Sequence, residues 1–145
     1  MSNLHEVAKR FIQCLTPEAR ERVVRRIKRG FPMGHHNIAS PRKGGGYAVC
    51  LLGICIPDER LAEHEGAAML RGDLWESINT CPDLDQGVVF TAWDAAAGPW
   101  GGVPAAKKVL RQVVKELEME DLKAASLHGP TLREERGEEA ASAVP

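Results

Sequence analysis

Thr16-Pro17-Glu18-Ala19-Arg20-Glu21-Arg22-Val23-Val24-Arg25-Arg26-Ile27-Lys28-Arg29-Gly30 combines a well-bounded helical signal with the densest run of positive charge in the chain. Thr16 suits an N-cap, Pro17 suits the first helical position, where its missing N–H costs nothing, and Glu18 faces the positive end of the helix dipole. Gly30 is the residue type that closes a helix in the left-handed conformation. At about 100° per residue, Ala19, Val23, Val24 and Ile27 share one flank, while Arg22, Arg25, Arg26, Lys28 and Arg29 fan across the other. The apolar flank is expected to pack and the basic flank to stay in water.

Upstream, Leu4, Val7, Ala8, Phe11, Ile12 and Leu15 recur at three- and four-residue steps and predict a first helix, with Ser2 or Asn3 as its cap. Downstream, residues 31–46 hold two prolines and a glycine triplet without periodicity, which predicts a loop. Tyr47 to Ile56 is almost wholly apolar and is read as a buried helix, a buried strand being the open alternative. Pro57-Asp58-Glu59 predicts the first turn of a helix carrying Leu61, Ala62, Ala68, Met69 and Leu70. Asp83 with Gln86 has capping-box spacing ahead of Leu84, Val88, Ala92 and Ala95, although Val88-Val89-Phe90-Thr91 also suits a strand. Pro104 with Val109, Leu110, Val113, Val114 and Leu117 predicts a closing helix to about Leu127, ended by Gly129-Pro130. The expected fold is mainly α, a compact multi-helix domain that can include one short buried strand pair. Residues 1–129 form the domain, made of a basic helical pair 3–30, a loop 31–46 and a core 47–129. Residues 130–145 form an acidic, disordered tail.

The chain has 145 residues, 43% hydrophobic and 27% charged, which suits one globular core burying roughly two thirds of the unfolded surface. No apolar run approaches the length of about eighteen residues needed to span a membrane, and the start lacks an export signal. A cytoplasmic protein without membrane association is expected. Cys14, Cys50, Cys55 and Cys81 are accordingly expected to be buried thiols.

Ten of the nineteen Lys and Arg residues precede position 46, against Glu6, Glu18 and Glu21, so that stretch carries +7 and the remainder −8. The positive end is expected to bind an anionic partner through Arg22, Arg25, Arg26, Lys28 and Arg29, extended by Arg42 and Lys43. An acidic protein surface is the first reading and non-specific nucleic-acid binding the second. No aromatic residues interleave with these cations, so base stacking is not indicated. The tail carboxylates Glu134, Glu135, Glu138 and Glu139 offer a means of masking the basic helix.

No catalytic or cofactor motif stands out, and neither a cofactor nor a metal is expected. His35 and His36 with Cys50 and Cys55 are the right residue types for zinc, but Cys-x4-Cys inside an apolar decapeptide would bury two thiolates with nothing to orient them. A Cys50-centred thiol enzyme, with His35, His36 or His64 as base and Asp94 as orienting group, is a third reading. Gly44-Gly45-Gly46 lacks the Lys-Ser/Thr of a phosphate loop and is read as a hinge or linker. Trp93 and Trp100 are read as core anchors.

Cys50-Leu51-Leu52-Gly53, a helical spacer, Trp93-Asp94 and the Val/Leu-periodic closing helix resemble a small domain of unknown function from actinobacteria and their phages. The resemblance spans residues 47–117. It implies a compact, mainly helical fold and a mobile-element setting and supplies no active-site residues. The basic N-terminal helices depart from its pattern.

Overall fold

The first two helices form where their end signals place them. In the computed structural model, which describes residues 3–99 and 101–135 (backbone alone from 127), α1 spans Leu4–Gln13 and α2 spans Pro17–Arg29. Asn3 occupies the N-cap position of α1 without a side-chain capping bond. Thr16 Oγ1 accepts the Ala19 N–H at 3.4 Å, and Gly30 ends α2 at φ +73°. The apolar rows pack as periodicity requires: Leu4, Ala8, Phe11 and Ile12 are buried on α1, and Ala19, Val23 and Ile27 on α2.

The joint between the two helices is tied to a distant part of the chain. Thr16 N–H donates to the Ile78 carbonyl at 2.8 Å, and Thr80 donates through both N–H and hydroxyl to the Cys14 carbonyl at 2.6 and 2.8 Å. At the same place Cys14 and Cys81 form a disulfide. This corrects the expectation of four thiols: Cys50 and Cys55 alone are free and buried. Neither spacing nor composition indicates the bridge, because the two partners are 67 residues apart.

Residues 31–46 are more ordered than a loop. β1 (Ala39–Pro41) and β2 (Tyr47–Val49) pair antiparallel, Ala39 opposite Val49 and Pro41 opposite Tyr47. The glycine triplet is the hairpin turn and no linker: Gly44, Gly45 and Gly46 all have positive φ, a region that β-carbons disfavour. The Arg42 N–H closes the turn on the Gly46 carbonyl at 2.9 Å.

The apolar run 47–56 is neither one helix nor one strand. After β2 it turns at Leu51-Leu52 and makes a short 3-10 helix, Gly53–Cys55. Burial of every residue from Val49 to Ile56 explains why its hydrophobicity is continuous and its periodicity uninformative. Gly53 is required by close approach, since a β-carbon there would lie 2.2 Å from the Ile38 carbonyl oxygen.

A second 3-10 helix covers Asp58–His64 in place of the α-helix expected after Pro57. It ends where Gly66 N–H pairs with the Ala39 carbonyl at 3.0 Å, which leaves Ala68, Met69 and Leu70 outside it. α3 (Gly72–Ile78) is short and was not signalled by periodicity, although Leu74 and Ile78 are buried four residues apart.

α4 spans Gln86–Ala97 and takes in the strand-like tetrapeptide 88–91. Burial of Val89, Ala92, Trp93 and Ala97 at helical steps overrides local β-propensity. Its N-cap is Asp85, which accepts the Gly87 N–H at 2.7 Å. The two capping-box candidates are engaged elsewhere, Asp83 with Arg10 at 2.8 Å and Gln86 with the Leu70 N–H at 2.8 Å. α5 spans Gly102–Glu135 and passes through Gly129-Pro130, where the backbone was expected to stop. Proline removes one helical hydrogen bond but its fixed φ is itself helical.

The fold is thus mainly α with one short antiparallel strand pair. Residues through Val114 make one compact unit and those from Lys115 a second. Residues 136–145, including Glu138 and Glu139 of the expected acidic tail, and Trp100 lie outside the described residues. Among the described residues no helix is long and apolar enough to cross a membrane.

Denatured, unreduced protein should show two reactive thiols by a colorimetric thiol count, against four after reduction. Closing a loop of 67 residues contributes up to about 4 kcal/mol in the chain-entropy description, so Cys81→Ser should lower unfolding stability toward that amount.

Candidate functional site

The basic flank of α2 divides into two groups. Arg26 is only 6% exposed, contrary to a wholly solvated face. Its Nη1 donates to the Ile54 and Ile56 carbonyls at 3.1 and 2.6 Å, its Nη2 pairs with Asp58, and its guanidinium lies 4.7 Å over the Phe31 ring. Burial lowers the Arg26 pKa from its ordinary value while Asp58 opposes the change, and a guanidinium under that balance stays charged. Arg22 lies one turn earlier and is mostly covered; its Nη1 donates to the Cys55 carbonyl at 2.8 Å. Both side chains therefore satisfy carbonyls at the end of the 3-10 helix Gly53–Cys55 and at Ile56 just after it.

Arg25, Lys28 and Arg29 point outward and are exposed. Arg25 and Arg29 form no ion pair among the described residues. Arg42 and Lys43 are exposed on the hairpin turn. A cationic contribution that sequence reading missed comes from α5. Lys107 Nζ donates to the Gly30 carbonyl at 3.4 Å, and Lys107, Leu110 and Arg111 line a crevice with Ile27, Phe31 and Met33. Lys107 and Arg111, four residues apart, share one helix face. That spacing is visible in the sequence, but the position of this face beside the end of α2 is not.

A separate group of polar residues gathers where the segment after α2 meets α4. Trp93 is fully buried and its Nε1 donates to the Gly34 carbonyl at 2.7 Å, while Gly34 N–H donates to the Val49 carbonyl at 2.9 Å. The next residue on each segment belongs to the cluster. Asp94 Oδ1 accepts the His36 backbone N–H at 2.7 Å, and Asp94 Oδ2 lies 3.2 Å from His36 Nδ1. The His35 and His36 rings meet edge to face with centroids 4.2 Å apart. His36 has φ +78°, the positive φ of a non-glycine residue, at a cost on the order of 1–3 kcal/mol. His35 Nδ1 is buried without a hydrogen-bond partner, which costs about 1–3 kcal/mol more.

The thiols are poorly suited to catalysis. Burial pushes Cys50 up to about 11, with Asp94 adding to the rise, and pushes Cys55 up to about 12, with Cys50 adding. Neither is a thiolate at neutral pH. The four-residue zinc set His35, His36, Cys50 and Cys55 is not assembled, and the histidines meet Asp94 instead. His64 is buried between the Arg60 carbonyl at 3.1 Å and the Arg71 N–H at 3.2 Å, so both ring nitrogens are used by the backbone.

No family model, curated protein or solved structure matches this chain.

Arg26→Gln should cost about 1.5–3 kcal/mol of unfolding stability, the range for hydrogen bonds to a charged group. Arg25→Gln should stay within about 0.5 kcal/mol, as for an ordinary surface site. Urea titration of both variants measures the contrast. Because the folded thiol pKa values are raised, their contribution to stability is complete below about pH 8.5 and is lost as pH rises through 11 and 12. Stability should therefore fall on the alkaline side, and native-state iodoacetamide labelling at neutral pH should be slow at both thiols.

Proposed function

We propose that the chain is a small binding module that docks an acidic surface of another protein through the exposed cations at the end of α2. The observation that carries this reading is the placement of Lys107 against the Gly30 carbonyl, which sets Lys107 and Arg111 beside the C-terminal end of α2. Arg25, Arg29 and Arg111 are each exposed, and Lys28 lies on the same helix as the first two. Arg42 and Lys43 on the hairpin turn extend the reading to a second exposed point. Arg22 and Arg26 act from inside, holding α2 on the segment behind it.

Charge distribution favours a locally acidic protein over a nucleic acid. The whole chain carries −1, and its acidic remainder would repel a polyanion that extends beyond the patch. An acidic protein surface can match the patch and stop at its edge.

Fluorescence anisotropy of labelled poly-glutamate and of duplex DNA, at low and high salt, tests the proposal. Poly-glutamate should bind at low salt and weaken as salt rises, with a smaller response from DNA. Arg25→Gln/Arg29→Gln should weaken it roughly tenfold, equivalent to about 1.4 kcal/mol. Tighter binding of DNA would favour the nucleic-acid reading, and equal binding by wild type and variant would remove the patch from both.

A further inference from the structure

We infer that His35, His36 and Asp94 form a binding site for a divalent transition metal of the zinc class, with at least one coordination position open to solvent. Two imidazoles and one carboxylate are a ligand set for zinc and its neighbours, and three protein ligands leave room for water. The ligand atoms, one from each residue, all lie within 4.8 Å of one another.

Three features support a ligand site over a casual cluster. Successive side chains on extended backbone point to opposite sides, so adjacent histidines do not ordinarily serve one centre. The left-handed conformation at His36 breaks that alternation and brings both rings together. Asp94 is oriented as a ligand: the His36 backbone N–H holds Oδ1, which leaves Oδ2 directed at His36 Nδ1. A hydrogen bond to one carboxylate oxygen is the usual outer-shell support for coordination through the other. His35 Nδ1, finally, is a buried nitrogen with no hydrogen-bond partner among the described residues, and coordination of a metal ion through it would supply a partner.

The distances agree in part. With metal–ligand bonds of about 2.0–2.1 Å, tetrahedral ligands stand about 3.3 Å apart. The His36 Nδ1 to Asp94 Oδ2 separation, 3.2 Å, already has that length. The separations to His35 are at most 4.8 Å, so its ring closes by no more than about 1.5 Å, a side-chain adjustment. A His36–Asp94 contact alone would account for two of the residues, but not for the orphaned nitrogen of His35 or the left-handed backbone at His36.

The test uses the full chain without an affinity tag and with its disulfide intact. Equilibrium dialysis against Zn²⁺ should give one ion per chain. His35→Gln, and Asp94→Asn, which keeps an acceptor for the His36 N–H, should each weaken binding tenfold or more while the metal-free melting temperature of at least one variant matches wild type. In the wild type, two of the five histidine ring signals should shift on adding Zn²⁺. Co²⁺ should give visible bands without a thiolate charge-transfer band. No uptake up to millimolar Zn²⁺, undiminished affinity in a folded variant, or a thiolate band placing the ion on Cys50 or Cys55 would each overturn the site.

Discussion

The buried guanidinium of Arg26 is the contact on which the unit through Val114 turns. The segment 50–58 runs from one short 3-10 helix to the start of the next, and its carbonyls at Ile54 and Ile56 accept from Arg26 Nη1. Arg26 supplies planar donors at that point and reaches Asp58 with the other nitrogen, while the face of its guanidinium lies over Phe31. Lysine could not replace it, because a single ammonium cannot serve two carbonyls and a carboxylate in one plane and cover a ring. The placement of α2 follows, since Arg22 repeats the contact one turn away at Cys55.

Two further constraints frame the rest of that unit. The Cys14–Cys81 bond and the Thr80 bonds to Cys14 fasten the joint between the first two helices to the end of α3. The Gly53 approach to the Ile38 carbonyl brings the 3-10 turn against the segment that carries the histidine pair. His35 and His36 thus lie between an anchored glycine, Gly34, and a buried residue, Ile38, and their geometry against Asp94 comes from packing on both sides. A strained residue held this way keeps its conformation because its neighbours are fixed.

Charge serves two ends in α2. The arginines that face the segment 54–56 are structural, and Arg25 and Arg29 are exposed, the charge on which the proposed docking rests. A count of positive residues cannot separate these uses, because both require long cationic side chains on one helix. The distinction arises from rotation: four residues along a helix return to nearly the same side, so Arg22 and Arg26 turn inward together while Arg25 and Arg29 turn outward together.

The sequence by itself determined that the chain is mainly helical, where α2 begins and ends, which apolar rows of the first two helices turn inward, and that the excess of positive charge lies in the first third. These properties are local: caps, periodicity and side-chain charge act within a few residues. Tertiary structure alone decided the disulfide, the form of residues 47–64, the inward turn of Arg22 and Arg26, the position of Lys107 beside Gly30, and the meeting of the histidines with Asp94. Each of those joins residues far apart in the chain, or concerns a segment buried on all sides, where no exposed face leaves a periodic trace.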